Sequence, residues 1–211
     1  MKTLTLTLAL SFMAVAASAG VLADWSRDQA SIEAQLQQKQ YAQARKASIK
    51  LTNRMLDRLG GSAEASRLLA ETASLRGSAE EGLGNTDDAI WYRQVASALD
   101  PPKAAQSDEK PLQPPIVAFS LPLSSNIKPP VATRRREPDR PAIINALGES
   151  LVTVEVVIDV DGIVRQPRIV QSPAPSVAYA ALEAIRQWRF RPGTMDGKPV
   201  PVVFNLTFNF R

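Results

Sequence analysis

The chain has 211 residues, 45% of them hydrophobic and 22% charged, which is ordinary for globular protein and fits two modest domains better than one. It contains no cysteine and no histidine, so disulfide staples, thiol proteases, Ser-His triads and the usual zinc sites are excluded. The net charge of +4 is unevenly spread: 24–100 carries ten basic and eleven acidic residues, 142–211 seven and six, and 101–141 seven against four, so no folded basic face for nucleic acid is expected.

Residues 1–23 read as a targeting segment. Lys2 is its positive start, Thr3 to Ala17 is mostly apolar, and Ala17-Ser18-Ala19 or Val21-Leu22-Ala23 offers a small-residue cleavage site. The alternative is an uncleaved anchor, because Thr3 to Ala23 just suffices to cross a bilayer core of about 30 Å. Cleavage implies a periplasmic protein. Retention implies a single-pass inner-membrane protein with its C-terminal part in the periplasm.

Residues 24–100 are rich in Ala, Leu, Gln, Arg and Glu and lack proline, which predicts helix throughout. The run Asp87 to Pro101, with Ala89 and Ala96, resembles the second helix of a tetratricopeptide repeat. Gly77 and Ala79 stand in the helix before it, and a turn falls at Gly84-Asn85. A fainter copy begins at Gln40-Tyr41, after a first helix near Ser26 to Gln38, and Gly60-Gly61-Ser62 separates the two hairpins. The region reads either as a plain helical spacer or as a docking module.

Composition changes at Pro101. Ten of the 41 residues in 101–141 are proline, which removes backbone donors and favours extended chain. This is a linker, reaching at most roughly 130 Å. Within it, Ile116 to Leu121 is a more apolar patch, and Arg134-Arg135-Arg136 reads as a solvated basic cluster or a contact for anionic head groups or cell-wall acids.

In 142–211 the hydrophobic period alternates between two and 3.6. Val152, Val154, Val156 and Ile158 form one strand face, and Thr153, Glu155 and Val157 the other. Asp159-Val160-Asp161-Gly162 makes a hairpin turn with glycine supplying a positive φ. Pro167 in the second strand argues for an edge or a bulge. Ala178, Ala181, Leu182, Ile185 and Trp188 recur at helical spacing, a helix expected to end at Pro192-Gly193. The last strand alternates Val200, Val202, Phe204, Leu206, Phe208 and Phe210 against Pro201, Val203, Asn205, Thr207, Asn209 and Arg211. Val154, Val156, Ile185, Trp188, Phe190, Phe204 and Phe208 are the candidate structural core. The order is strand, strand, helix, strand.

Four stretches, VEVVIDVDGIV, RIVQS, AALEAIRQWRFRPG and DGKPVPVVFNLTF, together resemble the C-terminal domain of the TonB family. They look like the family's valine-rich strand, Asp-Gly hairpin, Trp-x-Phe-x-Pro motif and final strand, although Arg140-Pro141 stands where the family usually has Tyr-Pro. The expected fold is α+β: tetratricopeptide-like hairpins in 24–100, a proline-rich linker in 101–141 and a ββαβ domain in 142–211.

The resemblance implies a non-enzymatic cell-envelope protein supporting transmembrane transport, whose last strand lies at the sheet edge and captures an extended segment of an outer-membrane transporter. Its unpaired N–H and C=O groups give affinity. Val203, Asn205, Thr207, Asn209 and Arg211 are the partner-binding candidates, with Arg186, Arg189 or Arg191 as charge partners. The alternative is a periplasmic scaffold joining two envelope proteins without energy coupling. No cofactor or metal is expected, because no phosphate loop, ligand cluster or nucleophile-base pair is visible. Oligomeric state is left open.

Overall fold

The computed structural model describes residues 4–58, 63–100, 117–118 and 127–211, with backbone alone at 4–19, 63 and 117–118. The cleavage site at Ala17-Ser18-Ala19, the Gly60-Gly61-Ser62 turn and most of the proline-rich segment therefore lie outside the fully described residues. Among the described residues, no helix is long and apolar enough to cross a membrane.

Two helical hairpins come first: α1 (Leu4–Gln37) with α2 (Tyr41–Leu56), and α3 (Ala63–Gly82) with α4 (Thr86–Leu99). Their turns need left-handed residues, Lys39 at φ 57° and Gly84 at φ 79°. At Gly77 α3 and α4 come so close that a β-carbon would stand 3.2 Å from the Ala89 carbonyl oxygen. Small residues set this spacing. Trp25, Ile32, Leu51, Met55, Leu69, Tyr92 and Val95 fill the core. Two buried polar groups lock it: Gln29 donates to Leu68 O and Thr72 Oγ1, and Glu80 accepts from Arg45 and Asn85.

The C-terminal region is built on a sheet of order β1-β9-β4-β5, formed by β1 (Val117–Ala118), β4 (Ser150–Ile158), β5 (Val164–Gln171) and β9 (Val202–Phe210). β4 runs antiparallel to both β5 and β9. Val152, Val154, Val156 and Ile158 are fully buried beneath α6 (Pro175–Ile185). The β4–β5 turn is Asx chemistry, because Asp159 Oδ1 accepts from the Asp161 and Ile163 amides at 3.0 and 2.8 Å. Gly162 adopts φ 75°, and a β-carbon there would overlap the Phe190 carbonyl. That glycine is required by conformation and by space.

Three features depart from the sequence reading. Residues 127–134, assigned to the linker, pair with the C-terminal region. β2 (Ile127–Lys128) runs beside β7 (Gly193–Met195), which pairs with β8 (Lys198–Val200), and β3 (Val131–Arg134) runs beside β6 (Arg189–Arg191). Helix α6 stops at Ile185, well before Pro192, so Trp188 lies in the connection and Phe190 in β6. Long-range pairing with β3 overrides the helical periodicity there.

The third departure is that α6 is buried nearly all round rather than along one stripe, because the helical region packs on its second face. The two regions touch. Tyr92 Oη approaches Glu183 Oε2 at 3.3 Å, Arg186 reaches Asp88 and donates to Tyr92 Oη at 2.9 Å, and Arg165 stands 3.8 Å from Asp87. Burial, with Glu183 adding to it, pushes the Tyr92 phenol far above its ordinary range, so it stays a neutral hydrogen-bonding group. A short helix, α5 (Ile144–Leu147), precedes β4.

Candidate strand-docking edge

β9 is a strand because β-branched and aromatic residues alternate with polar ones over nine positions. Its inner face seats Val202, Leu206, Phe208 and Phe210 in the core and leaves Phe204 half-buried. Aromatic rings hold this face. Trp188 lies 5.4 Å from Phe208 and 6.0 Å from Phe190, and Phe190 lies 6.5 Å from Phe204, the edge-on and tilted geometries that such pairs favour. Trp188 Nε1 donates to the Arg136 carbonyl at 2.8 Å, and the Arg135 guanidinium stands over the same indole at 5.4 Å. Arg134, Arg135 and Arg136 all remain exposed, so the basic run is solvated while Arg135 also covers the Trp188 ring.

The outward residues of β9 lie on one sheet face beside β4: Val203 opposite Val157, Asn205 opposite Glu155, Thr207 opposite Thr153 and Asn209 opposite Leu151. Two of the four are already engaged. The Thr153 and Thr207 hydroxyls meet at 3.2 Å, and Glu149 Oε1 accepts from Asn209 Nδ2 at 2.6 Å and lies 3.4 Å from Arg211 Nε. The Asn209 hydrogen bond and the Arg211 charge lower the Glu149 carboxyl below its ordinary value. Asn205 has no side-chain partner among the described residues.

The unpaired side of β9 is its backbone edge. β4 occupies one flank along the whole strand, while β1 occupies the other only at Val202 and Val203. From Phe204 to Phe210 that flank has no strand partner among the described residues, and every second N–H and C=O points into it. A chain laid along it would place alternate side chains against Phe204 and against Asn205 and Thr207.

The opposite edge, β5, is closed. Gln166 sits at φ 48° beside Pro167, the ladder with β4 shifts register twice, and the Gln166 amide donates to Gln94 Oε1 of α4 at 3.2 Å.

Of the proposed charge partners, Arg186 is turned toward Asp88 and Tyr92, away from β9. Arg189 donates to the carbonyls of Arg186 and Trp188, and exposed Arg191 pairs with Val131. Sequence reasoning missed Glu149, whose role depends on a register visible only once β4 and β9 are aligned. It also missed β1, although the apolar patch at Ile116 to Leu121 was its signal.

A family model matches this region. Residues 147–211 match the family model described as Gram-negative bacterial TonB protein C-terminal. Protein TonB of Vibrio cholerae serotype O1 is 31% identical over 86 residues, which are 40% of this chain and 35% of that protein. The chain thus spans about a third of the length of the curated relative it matches. The solution NMR structure of Pseudomonas aeruginosa TonB CTD is matched at 24% identity over 46% of this chain and 93% of that one, with a TM-score of 0.33.

Proposed function

We propose, starting from a C-terminal region of the TonB type, that this chain is a non-enzymatic cell-envelope protein that captures an extended segment of an outer-membrane transporter by strand addition to β9. The observation that carries the reading is the asymmetry of the sheet: among the described residues α4 lies against β5, and β9 has no strand partner on its outer flank from Phe204 to Phe210. Main-chain pairing supplies the affinity, and the row Asn205, Thr207, Asn209 and Arg211, with Val203 at its start, reads the side chains of the incoming strand. The C-terminal region lies in the periplasm.

The test is a pull-down of the full chain with peptides from transporter plug domains. N–H direction alternates along a strand, so of Phe204→Pro and Asn205→Pro one removes an outward donor and the other a ladder bond. The variant that leaves thermal unfolding nearly unchanged is expected to lose binding by about tenfold or more, one to two main-chain hydrogen bonds' worth. Undiminished binding by both variants sinks strand addition.

A second reading, the periplasmic scaffold, is favoured by the contact between the helical region and α6 through Arg186, Asp88 and Tyr92, which gives two binding modules a fixed relation. N-terminal sequencing of protein recovered from the envelope separates the two. Retained residues 1–23 favour force transmission, which needs an anchor, and their loss favours the scaffold.

A further inference from the structure

A cleft of about 420 Å³ lies where the helical region meets α6, walled by the C-terminal end of α2, by Arg76 of α3, by residues 136–142 and by Tyr179 and Glu183 of α6. Its size falls in the range of small-molecule sites. None of its lining residues belongs to β4, β5 or β9, so it stands apart from strand addition.

Buried polar atoms in folded proteins nearly always have a partner. Three that have none among the described residues belong to side chains lining this cleft: Arg76 Nε, Tyr179 Oη and Glu183 Oε1. Tyr179 is only 3% exposed, and the nearby Arg76 and Thr52 close no hydrogen bond of good geometry on its hydroxyl. Burial, with Glu183 adding to it, pushes that phenol far above its ordinary range, so it stays a neutral donor. The Arg76 guanidinium stands 3.9 Å from the Tyr92 ring centre and its Nε 3.8 Å from Glu80 Oε1, which already accepts from Arg45 at 2.9 Å. The second Glu183 oxygen faces Tyr92 Oη at 3.3 Å. Two donors and one acceptor are left unused.

The charge balance selects the ligand class. Arg45, Arg76 and Arg186 meet Glu80, Asp88 and Glu183 in one connected cluster, so its charges already cancel. A net anion or a net cation brought there would leave one charge uncompensated at low dielectric. A zwitterion keeps the balance, pairing its carboxylate with guanidinium and its ammonium with carboxylate. Tyr179 and Glu183 are four residues apart on α6, which sets their β-carbons about 5–6 Å apart, the scale of one amino acid. The rim repeats the mixture, with Asp57, Glu137 and Arg140 all exposed on it.

We propose that this cleft binds a small zwitterion of the amino-acid type, its carboxylate on Arg76 and Tyr179 and its ammonium on Glu183. Arg76 comes from the helical region and the other two groups from the C-terminal region, so the site exists only while the two are docked. Occupancy therefore stabilises that docking.

The test titrates the full chain by calorimetry with glycine, L-alanine, L-glutamine and alanyl-alanine, alongside N-acetyl-alanine and alanine amide, which each lack one charge. The zwitterions are expected to bind, and each single-charge analogue to bind about tenfold more weakly than alanine. Glu183→Gln is expected to weaken alanine about tenfold while leaving N-acetyl-alanine unaffected, and Arg76→Met to do the same for alanine while leaving alanine amide unaffected. A merely structural role predicts equal losses for every probe. Tyr179→Phe is expected to bind alanine about tenfold more weakly with an unchanged unfolding temperature, because its hydroxyl has no partner to lose. Binding of alanine but not alanyl-alanine assigns the site to a free amino acid, and the reverse assigns it to a short peptide; both support a zwitterion site. No binding of any zwitterion, or analogues that bind as well as alanine, overturns it. So does a lower unfolding temperature for ligand-free Tyr179→Phe, which would make the hydroxyl part of the fold.

Discussion

The two edges of the C-terminal sheet are made from the same chain and treated in opposite ways. β5 carries Pro167, a left-handed Gln166 and two register shifts. Its Arg168 is exposed, its Arg165 is turned to Asp159 and Asp87, and α4 lies against it. These are the devices by which proteins blunt a strand edge. β9 shows none of them among the described residues: its ladder with β4 is unbroken over nine residues, and no proline falls between Val202 and Phe210. A smooth edge is an aggregation hazard unless it has an occupant, and the proposed strand addition would supply one at β9 alone.

The harshest way to break the comparison is to remove what both edges share. Gly162→Ala forces a residue with a β-carbon into a left-handed conformation and against the Phe190 carbonyl, at a turn that anchors the β4–β5 hairpin to β6. About 3 kcal/mol of stability is expected to be lost in urea unfolding, with β5 and β9 losing exchange protection together.

Opening the covered edge alone is gentler. Arg186→Met leaves Asp88 without its partner, and because these side chains are 28% and 30% exposed, a loss of about 1–2 kcal/mol is expected after allowance for solvent screening. Amides of β5 should exchange faster while those of β9 do not change. A uniform increase across the sheet would show that the helical region supports the whole fold rather than one edge.

Smaller effects sharpen the open edge. Thr207→Val removes the hydroxyl contact with Thr153 at a cost of about 0.5 kcal/mol, near the low end for one exposed hydrogen bond. It is expected to shift partner preference in peptide titrations more than it shifts thermal unfolding. Glu149 gives a pH signature. Its folded value lies below the ordinary 4.5, so the stability that it contributes is complete above that ordinary value and is lost as pH falls through the folded one. Carboxyl NMR titration should show the depressed midpoint, and Asn209→Ala should raise it.

The faces of β4 and β9 were legible because a period of two sustained over nine residues suits a strand and no helix. The Asp-Gly hairpin and the edge character of Pro167 were legible for equally local reasons. The end of α6 was not. Ile185 and Trp188 satisfy helical spacing, and only pairing of β6 with β3, more than fifty residues earlier in the chain, draws Phe190 into a strand. The contact between the two regions left a trace in the alanine-rich, nearly all-apolar sequence of α6, the mark of a helix covered on both sides, but not the identity of what covers it. At the candidate edge the outward row from Val203 to Asn209 was readable, whereas the tie of Asn209 and Arg211 to Glu149 depends on register. The commitment of Arg186 to Asp88 depends on the helical region.

The central claim is that β9, and not β5, receives a partner strand. Its most direct test is amide hydrogen exchange of the full chain with and without a bound transporter plug peptide. The account predicts new protection at alternate residues between Phe204 and Phe210, with β5 unchanged. Protection that appears along β5, or along neither strand, would contradict it.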